Sequence, residues 1–94
     1  MRALLITYEL KAKGWDYAPF VKALKTAPNW WHYLSSTWLV ITDKTPKEFH
    51  SVLGEHLSTE DSLLIVEITG SYWGFLVKDA WDWIDKYVPR AKPE

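Results

Sequence analysis

Apolar positions along this chain alternate in some stretches and recur every three or four residues in others, which predicts four strands and three helices. Leu4, Ile6, Tyr8 and Leu10 alternate with Ala3, Leu5, Thr7 and Glu9, a first strand apolar enough to be central. After the loop Lys11-Ala12-Lys13-Gly14, the residues Tyr17, Phe20, Val21 and Leu24 fall at helical spacing, with Asp16 near the start as a cap or first-turn acid. Pro28-Asn29 ends that helix. From Asn29 to Thr42 two aromatic and β-branched arms flank Ser35-Ser36-Thr37, the pattern of a β-hairpin. A loop at Ser35-Ser36 would put Trp30, His32, Leu34, Thr37, Leu39 and Ile41 on one face and Trp31, Tyr33, Trp38 and Val40 on the other. Thr45-Pro46-Lys47-Glu48 has the threonine, proline and glutamate of a capping box, opening a helix with Phe49, Val52, Leu53 and Leu57 as its buried stripe. Leu63 to Thr69 is a fourth strand closed by Gly70. A last helix from Trp73 to Val88 would bury Trp73, Leu76, Val77, Ala80, Trp81, Ile84, Tyr87 and Val88, ending at Val88-Pro89 before a frayed Arg90 to Glu94.

Strand, helix, hairpin, helix, strand is the order of the ferredoxin-like βαββαβ unit. The expectation is an α+β sandwich spanning residues 1–94 as a single domain, with an extra C-terminal helix at about 73–88. Its sheet order would be 4-1-3-2, with the first and third strands central and parallel. Both faces of the hairpin are largely apolar, so helices should cover one side and a second chain the other.

Composition narrows the function classes. The 94 residues include no cysteine, which rules out a disulfide framework and thiolate chemistry. Met1-Arg2 runs directly into the first strand, and no run approaches the ~20 apolar residues of a membrane helix, so the chain reads as cytoplasmic with no membrane partner. The formal charge of -1 provides no net attraction to phosphate backbones, and nucleic-acid binding would need a local patch. Seven tryptophans and five tyrosines exceed what a core this small needs, which points to an interface. Phe75 and Trp83, off the stripe of the last helix, are the candidate interface residues.

Candidate chemistry gathers where the parallel arrangement would place Glu9, Asp43, Glu60, Asp61 and His32 at one sheet edge. Carboxylates there suit magnesium or manganese, which prefer oxygen ligands. Glu9 ends an apolar strand and is the candidate metal ligand and catalytic acid residue. His32, the ionisable group within a run of aromatics, is the candidate general acid or base. Tyr8, Ser36, Lys11 and Lys13 are the candidate phosphate or nucleic-acid contacts, and His50 and His56 read as surface residues.

Leu5-Ile6-Thr7-Tyr8-Glu9-Leu10, Trp30 to Val40, and Asp61 to Val66 together resemble the small bacterial and phage proteins called SinR-like. More distantly, the chain is similar to ferredoxin-like CRISPR-associated adaptation proteins and VapD-type toxin ribonucleases. The resemblance spans roughly Leu4 to Trp73 and implies a homodimer built through the sheets. In the nuclease relatives an acid after a tyrosine at the end of the first strand helps hold a metal at the dimer axis. The matching positions here are Tyr8 and Glu9, with glutamate where the relatives usually carry aspartate, and the helix from Trp73 takes the place of their fifth strand. Two readings follow: a non-catalytic dimeric interaction protein in phage or host defence, or a weak metal-dependent endonuclease acting on RNA or DNA.

Overall fold

A computed structural model describes residues 1–88; the expected helix stop at Pro89 and the tail Arg90 to Glu94 lie outside the described residues. The elements are β1 (Arg2–Glu9), α1 (Ala18–Leu24), β2 (Asn29–Leu34), β3 (Thr37–Thr42), α2 (Pro46–Gly54), β4 (Ser62–Ile68) and α3 (Lys78–Tyr87). They form an α+β structure with one four-stranded sheet of order β2-β3-β1-β4, compatible with a ferredoxin-like fold. β1 and β3 are central, but every neighbouring pair is antiparallel, which corrects the parallel β1/β3 arrangement. The reason is topological. α1 carries the chain back so that β2 runs in the direction of β1, and a tight hairpin then reverses β3 against both.

The hairpin turns at Ser35-Ser36, with Leu34 opposite Thr37, as the residue pattern suggests. Between Trp31 and Leu34 the register shifts, so Trp31 lies opposite Leu39 and Trp30 opposite Val40. This irregularity exchanges the expected faces, because one extra residue in a strand inverts every side chain beyond it. Trp31 joins Leu39 and Ile41 in a buried cluster, where its Nε1–H donates to the Ala80 carbonyl at 3.2 Å. Trp30 and His32 go to the other face and pack against Trp38, with ring centroids at 5.3 and 4.0 Å.

Each face of the sheet has its own core. On the first, Leu4, Ile6, Trp38 and Val40 meet Phe20, Ala23 and Leu24 of α1 and Phe49 and Leu53 of α2. On the second, Ala3, Trp31, Leu39 and Ile41 meet Ala80 and Ile84 of α3 and Val88 just beyond it. Asp16 Oδ1 accepts from the Ala18 N–H at 3.0 Å, supporting the start of α1. α2 has the expected reciprocal cap: Glu48 N–H donates to Thr45 Oγ1 at 3.2 Å and Thr45 N–H to Glu48 Oε1 at 2.9 Å. The bond from the Thr45 backbone is the main reason the Glu48 carboxyl is held below its usual pKa.

α3 starts at Lys78 rather than near Trp73. Residues 71–77 form neither helix nor strand, and Val77 is extended with ψ 156°. Reach explains the difference. After a turn at Gly70, whose φ is +104°, the chain must cross from the β4 edge toward β2, three strand spacings or about 14 Å. Extended chain covers that distance at about 3.3 Å per residue, against 1.5 Å for a helix. Trp73 and Val77, expected in the buried stripe, are exposed instead.

The cap gives a direct test. Thr45→Ala should lower stability by about 1 kcal/mol and Thr45→Ser should stay near wild type, as measured by urea unfolding; equal losses in both would mean that the hydroxyl is not what holds this end of α2.

Candidate functional site

β1 ends at Glu9 beside the hairpin turn and the start of β4. Tyr8 N–H donates to the Ser36 carbonyl at 3.1 Å, and Glu9 lies opposite Ser62. Tyr8, Glu9, Ser36, Lys11 and Asp61 are therefore brought to one end. Asp43 is at the other, next to Arg2, whose Nη1 donates to the Asp43 carbonyl at 2.9 Å. That placement corrects the expected cluster and follows from the antiparallel run of β3. His32 lies toward the hairpin tip, with Nε2 3.2 Å from the Ser35 carbonyl and its ring stacked on Trp38 at an interplanar angle of 15°. β3 stands between its strand and β1.

The side chains at this end are largely engaged within the chain. The Tyr8 hydroxyl accepts from Trp38 Nε1–H at 3.0 Å, and its ring meets Phe20 edge-on at 5.0 Å, so it packs in the first core. The exposed Glu9 carboxylate pairs with Lys11 Nζ at 3.3 Å. Lys13 and Ser36 are exposed. Among the described residues no group of three or more His, Asp or Glu side chains could hold a metal ion. Within one chain, then, Glu9 belongs to no cluster of three such ligands, and an ion there would be held by fewer protein groups with water completing its shell.

Asp61 is the most connected acid here. Its Oδ1 accepts from the Tyr17 hydroxyl at 2.6 Å and from the Lys11 N–H at 2.8 Å, and its Oδ2 accepts from the Ser58 N–H at 2.9 Å. The Tyr17 oxygen in turn accepts from the Ala12 N–H at 3.1 Å. Partial burial pushes the Asp61 carboxyl up, but the hydrogen bonds from Tyr17, Lys11 and Ser58 outweigh it and leave the group well below the usual carboxylate range. Burial and the bond to Asp61 raise the Tyr17 hydroxyl. Asp61 thus ties the loop after β1 to the start of β4. Its partners Lys11 and Tyr17 are 50 and 44 positions away in sequence, so no local pattern announces it.

The second sheet face is only partly covered. The strand register gives three cross-strand rows on it: Asn29, Ile41, Ala3, Ile68; then Trp31, Leu39, Leu5, Val66; then Leu34, Thr37, Thr7, Leu64. α3 packs over the β2 side of the first two. Leu34, Leu64 and Val66 are left exposed. A cavity of 310 Å³ opens between the Leu34–Thr37 rim and the 72–76 segment, floored by Leu5, Trp31 and Leu39. Tyr72 lines it, and its hydroxyl is buried without a hydrogen-bond partner among the described residues. Of the two expected interface residues, Phe75 is fully exposed beside this cavity. Trp83 is half-buried against the α3 core, its ring 5.0 Å from Tyr87.

Comparison of the chain with protein-family models, curated proteins and solved structures finds no match. Among the described residues, no helix is long and apolar enough to cross a membrane.

Asp61 generates a pH-dependent prediction. Because its folded pKa is depressed, the stability it contributes is complete above the ordinary aspartate pKa of about 4 and is lost as pH falls through the lower folded value. Asp61→Asn should therefore lower Tm at pH 7, and the gap to wild type should close as the solution is acidified below about pH 4. A gap that stays constant through acid would mean that the ionised carboxylate is not the stabilising form.

Proposed function

We propose that this protein is a non-catalytic interaction module acting as a homodimer, and that it assembles through the part of the second sheet face left bare by α3. The observation that carries this reading is the exposed apolar set Leu34, Leu64, Val66, Trp73, Phe75 and Val77 on or beside that face. Large apolar side chains left exposed around one sheet face are the raw material of an interaction site. It also gives a use to the surplus of aromatic rings. The finer fold assignment, ferredoxin-like with an appended C-terminal helix, belongs to this reading. It is supported by the order β2-β3-β1-β4 and by α1 and α2 sharing one face.

Two observations favour assembly over cleavage. Glu9 is ion-paired with Lys11, and the oxygens of the neighbouring Asp61 already accept three protein hydrogen bonds. Nucleic acid is left as a possible partner of the assembled module through the exposed Lys11 and Lys13, not as its substrate.

Light scattering is the deciding measurement. Wild type should show twice the 11.0 kDa chain mass at micromolar concentration. A Leu64→Lys/Val66→Lys variant should keep its circular dichroism and fall toward the single-chain mass. A wild type that stays monomeric up to millimolar concentration would overturn the proposal. So would magnesium- or manganese-dependent cleavage of RNA or DNA by wild type that Glu9→Ala abolishes, since that result would install the nuclease reading in its place.

A further inference from the structure

The segment between β4 and α3 alternates packed and exposed side chains. Tyr72 and Leu76 pack onto the α3 core, while Trp73 and Phe75 are 99% and 104% exposed. Gly74 between them would have nothing within 4 Å of an added Cβ. The two rings thus flank an open backbone position, with packed side chains on either side of them. Next to them lies the 310 Å³ apolar cavity, to whose rim they belong without filling it. One chain therefore carries both a pair of unburied aromatic rings and an unfilled apolar cavity.

Resting on the dimeric reading above, we infer that two copies associate by reciprocal exchange, the Trp73 and Phe75 rings of each seated in the other's cavity against Leu5, Leu34 and Leu39. Such a contact is self-complementary, since each chain supplies both the projection and the recess, and a two-fold axis closes it at two copies. Size agrees with this occupant. A cavity of roughly 150 Å³ holds one benzene ring, so this one has room for about two. The four rings of a dimer would by themselves bury about 800 Å², the larger share of the about 1,000 Å² that a specific interface needs.

Complementation between two variants tests the exchange. Trp73→Ala/Phe75→Ala removes the projection and trims two side chains from the rim, but keeps the cavity floor of Leu5, Trp31 and Leu39. Leu34→Arg, at an exposed position on the rim, blocks the cavity and keeps the projection. Both should stay folded by circular dichroism, because these side chains lie outside the buried cores. Each alone should dimerise more than about tenfold more weakly than wild type. An equimolar mixture should form a heterodimer more tightly than either variant self-associates, because one intact projection then meets one intact cavity. A wild-type dimer unaffected by both variants would overturn the exchange while leaving the dimeric reading in place, and so would two weakened variants whose mixture gains nothing, the result expected of face-to-face stacking. A monomeric wild type would remove both proposals. If that monomer bound a small apolar dye and lost it with Leu34→Arg, the cavity would be assigned to a small molecule.

Discussion

Everything in this molecule hangs on β1, which is hydrogen-bonded along both edges and covered on both faces. β3 and β4 take its backbone groups, so no polar main-chain atom in its middle needs water. Leu4 and Ile6 are wholly buried toward α1 and α2, and Ala3 is buried toward α3. A strand apolar on both sides forces helices onto both faces of the sheet. With α1 and α2 on one face, a single helix among the described residues remains for the other.

That imbalance shapes the surface. Two helices close the first face from β3 to the β1 centre around Phe20, Trp38 and Phe49. α3 is ten residues long, about 15 Å, and sits toward β2. It leaves Leu64 and Val66 of β4 in solvent, along with Leu34 of β2. Leaving apolar side chains in water at about 25 cal/mol per Å² is unfavourable for a single chain, a cost that the proposed dimer would relieve. The two sheet edges differ as well. β2 carries a register shift and has Lys25 over Trp30 at 5.1 Å, features that blunt an edge, whereas β4 is regular and apolar, with Glu67 paired to Arg2 at 3.2 Å.

The acids at the end of β1 show how placement divides one chemical type. Glu9 points into solvent and meets a flexible lysine, an arrangement worth little to stability. Asp61, across the β1–β4 pair, gathers two backbone N–H groups and a phenol and holds a loop in position. The acid with the richest environment therefore supports structure, and the acid at the position suggested by resemblance is the freer one. The aromatics divide in the same way, with Trp31 and Trp38 in the cores and Trp73 and Phe75 outside them.

Short-range patterns were legible in the sequence. The alternation in β1, the Ser35-Ser36 reversal, the Thr45–Glu48 capping box and the helical spacing of Phe20, Phe49 and Ile84 each depend on residues within a few positions of one another. The sequence by itself therefore determined the order of elements and most of the buried residues. Only the tertiary structure decided what depends on distant partners. The register shift sends Trp31 under α3 and His32 onto Trp38, contacts that no run of neighbouring residues announces. The late start of α3 is set by the width of the sheet that the chain must cross. The hub at Asp61 requires loops that only the β1–β4 pairing brings together. The candidate site has the same origin: a cavity and two unburied rings exist because three helices must cover two apolar faces, a shortage that appears only once the strands are side by side.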